Sequence, residues 1–379
     1  MRIIRGPYLQ RPDRHAITVM WQTDCKSHGT VKIYPTVNPH NPQNKITISG
    51  EPIVIDAGCD ELHKVRIEQL SPDTEYCYEV LCEYNGQLLV SDRFPFRLAP
   101  DKNEAVNFVV TAEYGAYYKP VIERMHFERP DFILSLGDLV DNGTIDRDWD
   151  TYFFTYFNEL IRTTPMFPCV GNHEVGNNAA ADQPWRYENY LKIFDFPRYY
   201  SFDYGCAHFC VLDAPSMCRK ISSSDTDKYI PILTSDFENS EQIRFLKADL
   251  AASDAKWKFV VFHYPPYTSS IYDVRELRVL SPIFEEYGVD IVFNSHAIVY
   301  ERSHPIKGGE LSPDGVRYIV VGSMQYKDPW FRPKSSRFSA KLAARPSFLS
   351  ISLTPWRFEL QSIDLEGKLI DSLTIEKNI

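Results

Sequence analysis

The chain contains 379 residues, long enough for two domains with separate hydrophobic cores. Hydrophobic residues make up 44% of it and charged residues 24%, a balance typical of soluble globular proteins, and no apolar run reaches the roughly 18 residues of a membrane span. The net charge of −10 disfavours general binding to nucleic-acid phosphates or anionic lipid, so neither a nucleic acid nor a membrane is an expected partner.

The first hundred residues predict an all-β sandwich. In the stretch HAITVMWQTD, large apolar side chains alternate on one face in the period of a strand, at Ile17, Val19 and Trp21. The dipeptide Asn85-Gly86 lies between two strand-like runs and is typical of a two-residue hairpin turn. We therefore expect residues 1–100 to form an N-terminal β domain.

Residues 101–379 follow a different pattern, in which apolar strand runs alternate with helical stretches. NFVVTAEYG precedes YKPVIERMHFER, and DFILSLGDLVD precedes DRDWDTYFFTYFNELIR. Such alternation predicts βαβ units, a largely parallel sheet and flanking helices, that is, an α/β domain. From Ser347 the strand period returns, and this tail is predicted to complete a second sheet of the same domain.

The cysteines and the N-terminus bear on the compartment. The eight cysteines contain no Cys-x-x-Cys pair, so we expect neither a thiolate zinc site nor a disulfide scaffold. MRIIRGPYLQ has no apolar signal region. Two localisations stay open: a cytoplasmic protein, or a mature exported form whose signal has been removed. The oligomeric state is equally open.

Metal-capable side chains follow several of the predicted strands, at the points where the apolar runs end. They lie in GDLVDNG (137–143), GNHE (171–174), FHYPPY (262–267) and SHAIVYER (295–302), with Glu113 in TAEYG (111–115). Because the carboxyl ends of parallel strands meet at one edge of a sheet, we expect these side chains to converge. His296 raises a question, since Ile298 stands where a second ligand would point the same way.

The order of these motifs resembles the calcineurin-like metallophosphoesterase superfamily, and most closely its purple acid phosphatase branch. GPYLQ, TVMWQTD and LSPDTEYCYEV are similar to the fibronectin type III-like domain that precedes the catalytic domain in that branch. The resemblance implies two domains. The first is a fibronectin type III-like β-sandwich, and the second is an α/β metallophosphoesterase domain in which two mixed β-sheets pack together between helices.

The resemblance also implies a chemistry, the hydrolysis of a small phosphate ester by hydroxide that one or two divalent cations activate. The family's second metal position takes a bridging aspartate, an asparagine and two histidines, which match Asp138, Asn172, His263 and His296. Such nitrogen and oxygen donors suit Zn, Mn or Fe(II), and over both positions the expected cations are Mn, Zn, Fe or Mg. His173 matches the family histidine that contacts the phosphate and protonates the leaving group.

The first metal position departs from the family pattern. Where the purple branch has an aspartate, a tyrosine and a second histidine, this sequence has Glu113, Asp141 and Ile298. Isoleucine cannot bind a metal, whereas Glu113 and Asp141 would supply oxygen ligands that favour Mg, Mn or Ca. Two alternatives stay open: Glu113 as an ordinary carboxylate at a strand end, and Asp141 as a turn cap.

Two hypotheses of function follow from these motifs. The first is a metal-dependent phosphoric ester hydrolase, and the second is a degenerate fold with one metal or none that serves a binding or structural role. Glu174 is expected either to orient a neighbouring histidine or to face solvent. The sequence does not identify a natural substrate, because the two long loops at 175–190 and 216–236 contain no recognisable motif.

Overall fold

The computed structural model describes residues 1–37, 47–72, 74–115, 118–176, 184–220, 229–231, 237–322 and 335–378. The chain divides into two compact units. The first unit comprises Met1–Asp101, Asp131–Ile133 and Phe154–Phe167. The second comprises Lys102–Pro130, Leu134–Phe153 and Pro168–Ile379.

The N-terminal part of the first unit is built from strands, as predicted. These are β1 (Ile3–Gln10), β2 (Ile17–Val37), β3 (Thr47–Ile48), β4 (Ile53–Ile67), β5 (Glu75–Tyr84), β6 (Gln87–Val90) and β7 (Phe94–Phe96). The 21-residue β2 pairs with β1, β3, β4 and β5, so the seven strands belong to one hydrogen-bonded network. All these pairings are antiparallel, as are those of β5 with β6 and β7.

Two local predictions for this unit can be compared with its structure. Ile17, Val19 and Trp21 are fully buried in one apolar cluster, but the intervening residues of β2, Thr18 and Met20, are buried as well. The alternation therefore identified the strand but not the burial of its other face. Asn85-Gly86 forms the predicted turn between β5 and β6, and both residues have positive φ angles, 49° and 77°, which suits a tight hairpin turn.

The second unit contains the other strands: β8 (Val106–Thr111), β9 (Phe132–Ser135), β10 (Met166–Pro168), β11 (Tyr200–Tyr204), β12 (Ala207–Val211), β13 (Cys218–Lys220), β14 (Tyr229–Pro231), β15 (Trp257–Val261), β16 (Ile291–Asn294), β17 (Tyr300–Ser303), β18 (Ile306–Lys307), β19 (Glu310–Leu311), β20 (Arg317–Val320), β21 (Ser339–Ala343), β22 (Ser347–Thr354), β23 (Arg357–Asp364) and β24 (Leu369–Glu376). Strands β9 and β10 each run across a boundary between the units. The tail strands β22–β24 join the sheet that β8 opens.

The helices are α1 (Tyr118–Phe127), α2 (Asp146–Asp148), α3 (Thr155–Ile161), α4 (Glu188–Phe194), α5 (Ala214–Met217), α6 (Glu241–Ala252) and α7 (Ser281–Glu286). Short π and 3₁₀ segments occur at Trp149–Phe154, Phe237–Asn239 and Arg275–Leu280. The α6 helix begins where Ser240 accepts a hydrogen bond from the Ile243 backbone, an N-cap that satisfies one of the unpaired first-turn N–H groups. None of the helices in the described ranges is long and apolar enough to cross a membrane.

Two larger sheets organise the second unit. One has the strand order β10-β9-β8-β22-β23-β24, and the other has the order β11-β12-β15-β16-β20-β17-β21. In the second of these, β12, β15, β16 and β20 run parallel, while antiparallel strands form both edges. Aromatic side chains pack between the sheets, with ring centroids 5.5 Å apart for Phe108 and Phe209 and 5.9 Å apart for Phe259 and Phe358. The prediction of two packed mixed sheets is confirmed, whereas a largely parallel sheet was too simple.

Candidate metal centre

The residues singled out in the sequence follow the carboxyl ends of five strands. Glu113 follows β8, Asp138 follows β9, Asn172 follows β10, His263 follows β15 and His296 follows β16. Each lies two to four positions past the last strand residue, where the chain leaves the sheet and side chains from separate strands can meet.

The backbone is strained at three of these residues. Glu113, Asp138 and His296 have positive φ angles of 65°, 56° and 62°. A left-handed conformation costs a residue with a Cβ atom about 1–2 kcal/mol, and such strain concentrates at functional sites. The surrounding contacts must therefore hold these three turns in place.

The structure brings Asp138, His263 and His296 together as a candidate metal site. One potential ligand atom of each lies within 4.8 Å of the others, and all three residues are buried. His263 Nε2 lies 3.0 Å from Asp138 Oδ2. The fourth predicted ligand, Asn172, is also buried, and its neighbour His173 donates a backbone hydrogen bond to Asp138 Oδ1 over 2.8 Å.

The chemistry of these donors fits a cation. The His263 ring uses Nδ1 to donate to the Leu136 carbonyl over 2.8 Å, which leaves the Nε2 lone pair directed elsewhere. Among the described residues, neither His263 Nε2 nor the buried Asn172 Oδ1 has a hydrogen-bond partner. Buried polar atoms are nearly always bonded, so two unmatched acceptors beside a carboxylate indicate a place for a metal ion.

Glu174 holds the loops of the site together. Its carboxylate is buried and accepts three backbone N–H bonds, from Asp138 over 2.7 Å, Leu139 over 2.6 Å and Gly171 over 2.8 Å. Glu174 was expected either to orient a histidine or to face solvent, and the structure shows neither. Two of its three partners, Asp138 and Leu139, belong to a loop about 35 positions away in sequence, and no local pattern indicates them.

The two loops approach each other so closely that a side chain at Gly171 would collide. A Cβ atom there would lie 2.2 Å from Asp138 Oδ1 and 2.6 Å from Glu174 Oε2. At Gly137, whose φ is +92°, a Cβ atom would lie 2.6 Å from the Gly171 nitrogen. The glycines of GD and GNHE are therefore required by packing against the candidate ligand Asp138.

His173 lies at the edge of the site, with 19% of its side chain exposed. Its Nδ1 donates to the Asp141 carbonyl over 2.6 Å, and its Nε2 lies 3.9 Å from Asp138 Oδ2. The Tyr114 ring lies beside it, with centroids 5.2 Å apart. Burial disfavours the protonated ring, but the negative charge of Asp138 and the Asp141 carbonyl outweigh burial and raise the pKa of His173.

The first metal position looks different from the second. Glu113 Oε1 accepts hydrogen bonds from the Ser295 hydroxyl over 2.8 Å and from the His296 N–H over 2.7 Å. Asp141 accepts a bond of 2.6 Å from the Tyr114 hydroxyl, and 42% of its side chain is exposed. Ile298 supplies no donor atom. Neither carboxylate belongs to the group of ligand atoms within 4.8 Å of one another, so a cation here stays a prediction.

Three buried carboxyl groups lie close together in this site. Burial would raise the pKa of Asp138, but the charges of the His263 and His173 rings hold the pKa below its ordinary value. Burial and the Asp138 charge raise the pKa of Glu113 to about 7. The same two causes raise the pKa of Glu174 to about 7. A bound cation would relieve this crowding of negative charge.

Sequence reasoning missed Tyr114 and Ser295, which lie directly beside Glu113 and His296. Their hydroxyl groups bond to the carboxylates of the first metal position, and the only signal for them was adjacency to a motif. Parts of the two long loops, residues 177–183, 221–228 and 232–236, lie outside the described residues.

Comparison with known proteins supports the same interpretation. A family model described as calcineurin-like phosphoesterase matches residues 113–300. Purple acid phosphatase 15 of Arabidopsis thaliana is 30% identical over 305 residues, which span 69% of this chain and 53% of that protein. Purple acid phosphatase 18 of the same plant is 27% identical over 347 residues, 84% of this chain and 72% of that protein. The chain thus spans about half the length of the first of these relatives.

The fold has a solved counterpart. The purple acid phosphatase PPD1 from yellow lupin seeds aligns with a TM-score of 0.76 and 18% identity, over 98% of this chain and 74% of that chain. At this identity the likeness establishes the two-domain architecture alone, and the N-terminal all-β domain fits a fibronectin type III-like fold. The chain therefore contains a calcineurin-like phosphoesterase domain and is a homologue of the purple acid phosphatases.

Proposed function

We propose that this protein hydrolyses small phosphate esters at the second metal position. The observation that carries the proposal is the pair of buried acceptors, Asn172 Oδ1 and His263 Nε2, that find no hydrogen-bond partner among the described residues. His263 lies in one group of potential ligand atoms with Asp138 and His296, and Asn172 directly precedes His173, whose backbone N–H bonds to Asp138. The phosphatases among the relatives support the reaction class.

The ligands would be Asp138, Asn172, His263 and His296. A divalent cation held by them would polarise a phosphoryl oxygen, stabilise the charge that develops during hydrolysis and lower the pKa of water. The protein's own part is to exclude bulk solvent from the ligands, which are at most 9% exposed, and to fix their orientation. Glu174 contributes to that orientation through its three bonds to backbone N–H groups.

His173 is placed to handle a proton. Its Nδ1 is bound to the Asp141 carbonyl, so in the protonated ring Nε2–H is the group that can be given to a leaving oxygen. Its backbone N–H holds Asp138 Oδ1, which ties the position of this ring to the metal ligand. The partly exposed side chain lets a substrate approach it.

The test is hydrolysis of p-nitrophenyl phosphate by protein freed of metal with a chelator and then supplied with Mn(II), Zn(II), Fe(II) or Mg(II). We expect at least one cation to restore turnover, and the Asn172→Ala variant to lose both turnover and the response to cations. His304→Ala provides the control, because this exposed histidine lies close to the motif in sequence but follows it. Wild-type turnover in Asn172→Ala would overturn the proposal.

A second candidate function is a binding or structural role with little turnover, favoured by Ile298 and by the hydrogen bonds that engage Glu113. The double variant Ile298→His with Glu113→Asp discriminates between the two functions. If the natural site is already competent, the pair of substitutions will leave hydrolysis unchanged or lower it. A sharp gain in hydrolysis would favour the binding role for the natural protein.

A further inference from the structure

Glu113 connects two separate strand ends of the site. Its side chain reaches from the end of β8 to the loop after β16, where Oε1 accepts hydrogen bonds from the Ser295 hydroxyl and the His296 backbone. The residue is 5% exposed, so these bonds are shielded from water. Hydrogen bonds to a buried carboxylate are stronger than neutral ones, which makes this bridge a firm link to the segment that presents His296.

The His296 segment needs such a link because its backbone is strained. His296 has a φ of 62°, a left-handed conformation that costs a residue with a side chain about 1–2 kcal/mol. Its N–H bond to Glu113, 2.7 Å long, holds that turn. After His296 in the chain, Ala297 and Val299 are buried in an apolar cluster with Val320, which fixes the other side of the turn.

The remaining residues of the first metal position do not replace the lost ligands. The Asp141 carboxylate is partly exposed and accepts the Tyr114 hydroxyl bond. Ile298 contributes only hydrocarbon. The family's first cation, which the resemblance implies, therefore does not fit the residues present, because the carboxylate best placed to bind it is bonded to the His296 segment instead.

We propose that the Glu113 carboxylate takes over the organising role of the family's first cation, so that each chain binds a single cation, at the second metal position. Glu113 is then a positioning residue that holds the ligand His296 and does not itself coordinate the metal. This inference rests on the metal centre of the proposed function, but it does not depend on turnover.

The experiment counts cations without measuring activity. Full-length protein freed of metal is titrated with Mn(II) alone, and free Mn(II) is followed by electron paramagnetic resonance, which gives stoichiometry and affinity. The variants are Glu113→Gln, which keeps an acceptor oxygen at the same length, and Glu113→Ala, which removes it. The matched control is Glu128→Ala, which also removes a carboxylate bonded to a serine hydroxyl, Ser350, on the exposed surface.

We expect one Mn(II) per chain in wild type, in Glu113→Gln and in the control. The affinity of Glu113→Gln should fall less than that of Glu113→Ala, because the amide keeps the acceptor oxygen of the bridge but loses its charge. In Glu113→Ala it should fall about 10- to 100-fold, as is usual when a group that orients a ligand is removed. Should Glu113→Ala not fold, the comparison of wild type with Glu113→Gln decides alone.

Other outcomes separate this inference from the proposed function. Two Mn(II) per chain in wild type, with one lost in Glu113→Gln, would show that Glu113 is a ligand and would overturn the inference while leaving the hydrolase intact. No bound Mn(II) in wild type would overturn the inference, while turnover restored by Zn(II), Fe(II) or Mg(II) would still leave the hydrolase intact. One Mn(II) per chain in a protein that does not hydrolyse phosphate esters would support the inference and contradict the proposed function.

Discussion

Two histidine–carboxylate clusters of the second unit use the same side chains in opposite ways. In the first cluster, His208 donates from Nδ1 to Asp203 over 2.8 Å and from Nε2 to Asp249 over 2.9 Å. Asp249 accepts a further bond from the Ser201 hydroxyl, so the ring and the partly buried carboxylate both have several partners. This cluster ties the β11–β12 hairpin to α6 and leaves no nitrogen available to a ligand.

The second cluster, at the candidate metal centre, is incomplete by comparison. His263 bonds through Nδ1 to the Leu136 carbonyl, while Nε2 lies 3.0 Å from Asp138 Oδ2 only as an ion-pair contact. The difference teaches that residue type does not separate a structural histidine from a candidate ligand. The two are distinguished by the number of hydrogen bonds that each buried nitrogen already makes, because a buried acceptor without a partner costs free energy unless something else binds it.

The largest effect should come from His263→Ala. We expect hydrolysis of p-nitrophenyl phosphate to fall about 1000-fold, since the several kcal/mol of charge stabilisation that a cation provides would be lost. Tight Mn(II) binding should disappear at the same time, as measured by the paramagnetic resonance titration. His208→Gln is the matched control, and it should keep both properties. Loss of cation binding in His208→Gln instead would reverse the comparison.

A smaller effect should follow from Gly171→Ala. The new methyl group would meet Asp138 Oδ1 at 2.2 Å and Glu174 Oε2 at 2.6 Å, so the ligand must shift. We expect Mn(II) affinity to fall about 10- to 100-fold, the usual range for a misplaced ligand. Gly288→Ala provides the control, because its Cβ atom would meet nothing within 4 Å. Equal affinities in the two variants would contradict the close packing of the site loops.

The first cluster, His208 with Asp203 and Asp249, should contribute to the stability of the fold and not to cation binding. Burial disfavours the charged ring, but the hydrogen bonds that His208 donates to Asp203 and Asp249 outweigh burial and raise its pKa to about 9. Because the pKa in the fold exceeds that in the unfolded chain, this stabilisation is complete below about pH 6.5 and is lost as the pH rises through about 9. It amounts to about 3 kcal/mol at most.

Urea unfolding at pH 6 and pH 10 measures this contribution. Wild type and the control His304→Gln, an exposed histidine, should both lose stability between the two pH values. His208→Gln should be less stable at pH 6 and should show a smaller drop. An equal drop in His208→Gln and wild type would show that another group causes it.

The smallest effect should come from Tyr114→Phe. This substitution removes the hydroxyl that donates to Asp141 over 2.6 Å but keeps the ring beside His173. One such hydrogen bond contributes about 1 kcal/mol, so kcat/KM should fall about fivefold, with unchanged Mn(II) stoichiometry. A gain of a second Mn(II) on removal of the hydroxyl would mean that the Asp141 carboxylate had been held back from metal binding by this bond alone.

Much of the fold was predictable from residue patterns. Apolar runs that alternate with helical stretches indicated the α/β unit, and strand periods with Asn85-Gly86 indicated the β unit. Motifs at successive strand ends indicated which side chains would meet. The pattern was less informative about sheet direction, because direction depends on which neighbours a strand pairs with, and antiparallel strands form both edges of the sheet.

The sequence by itself determined the family and the candidate ligands, because Asp138, Asn172, His263 and His296 follow strands whose ends must converge. Only the tertiary structure decided what each carboxylate does. Glu113 bonds to a backbone N–H that is 183 positions away, and Glu174 bonds to loop residues 35 and 36 positions away. The physical reason is that hydrogen-bond saturation depends on which distant groups the fold brings within about 3 Å, and local residue order carries no record of those distances.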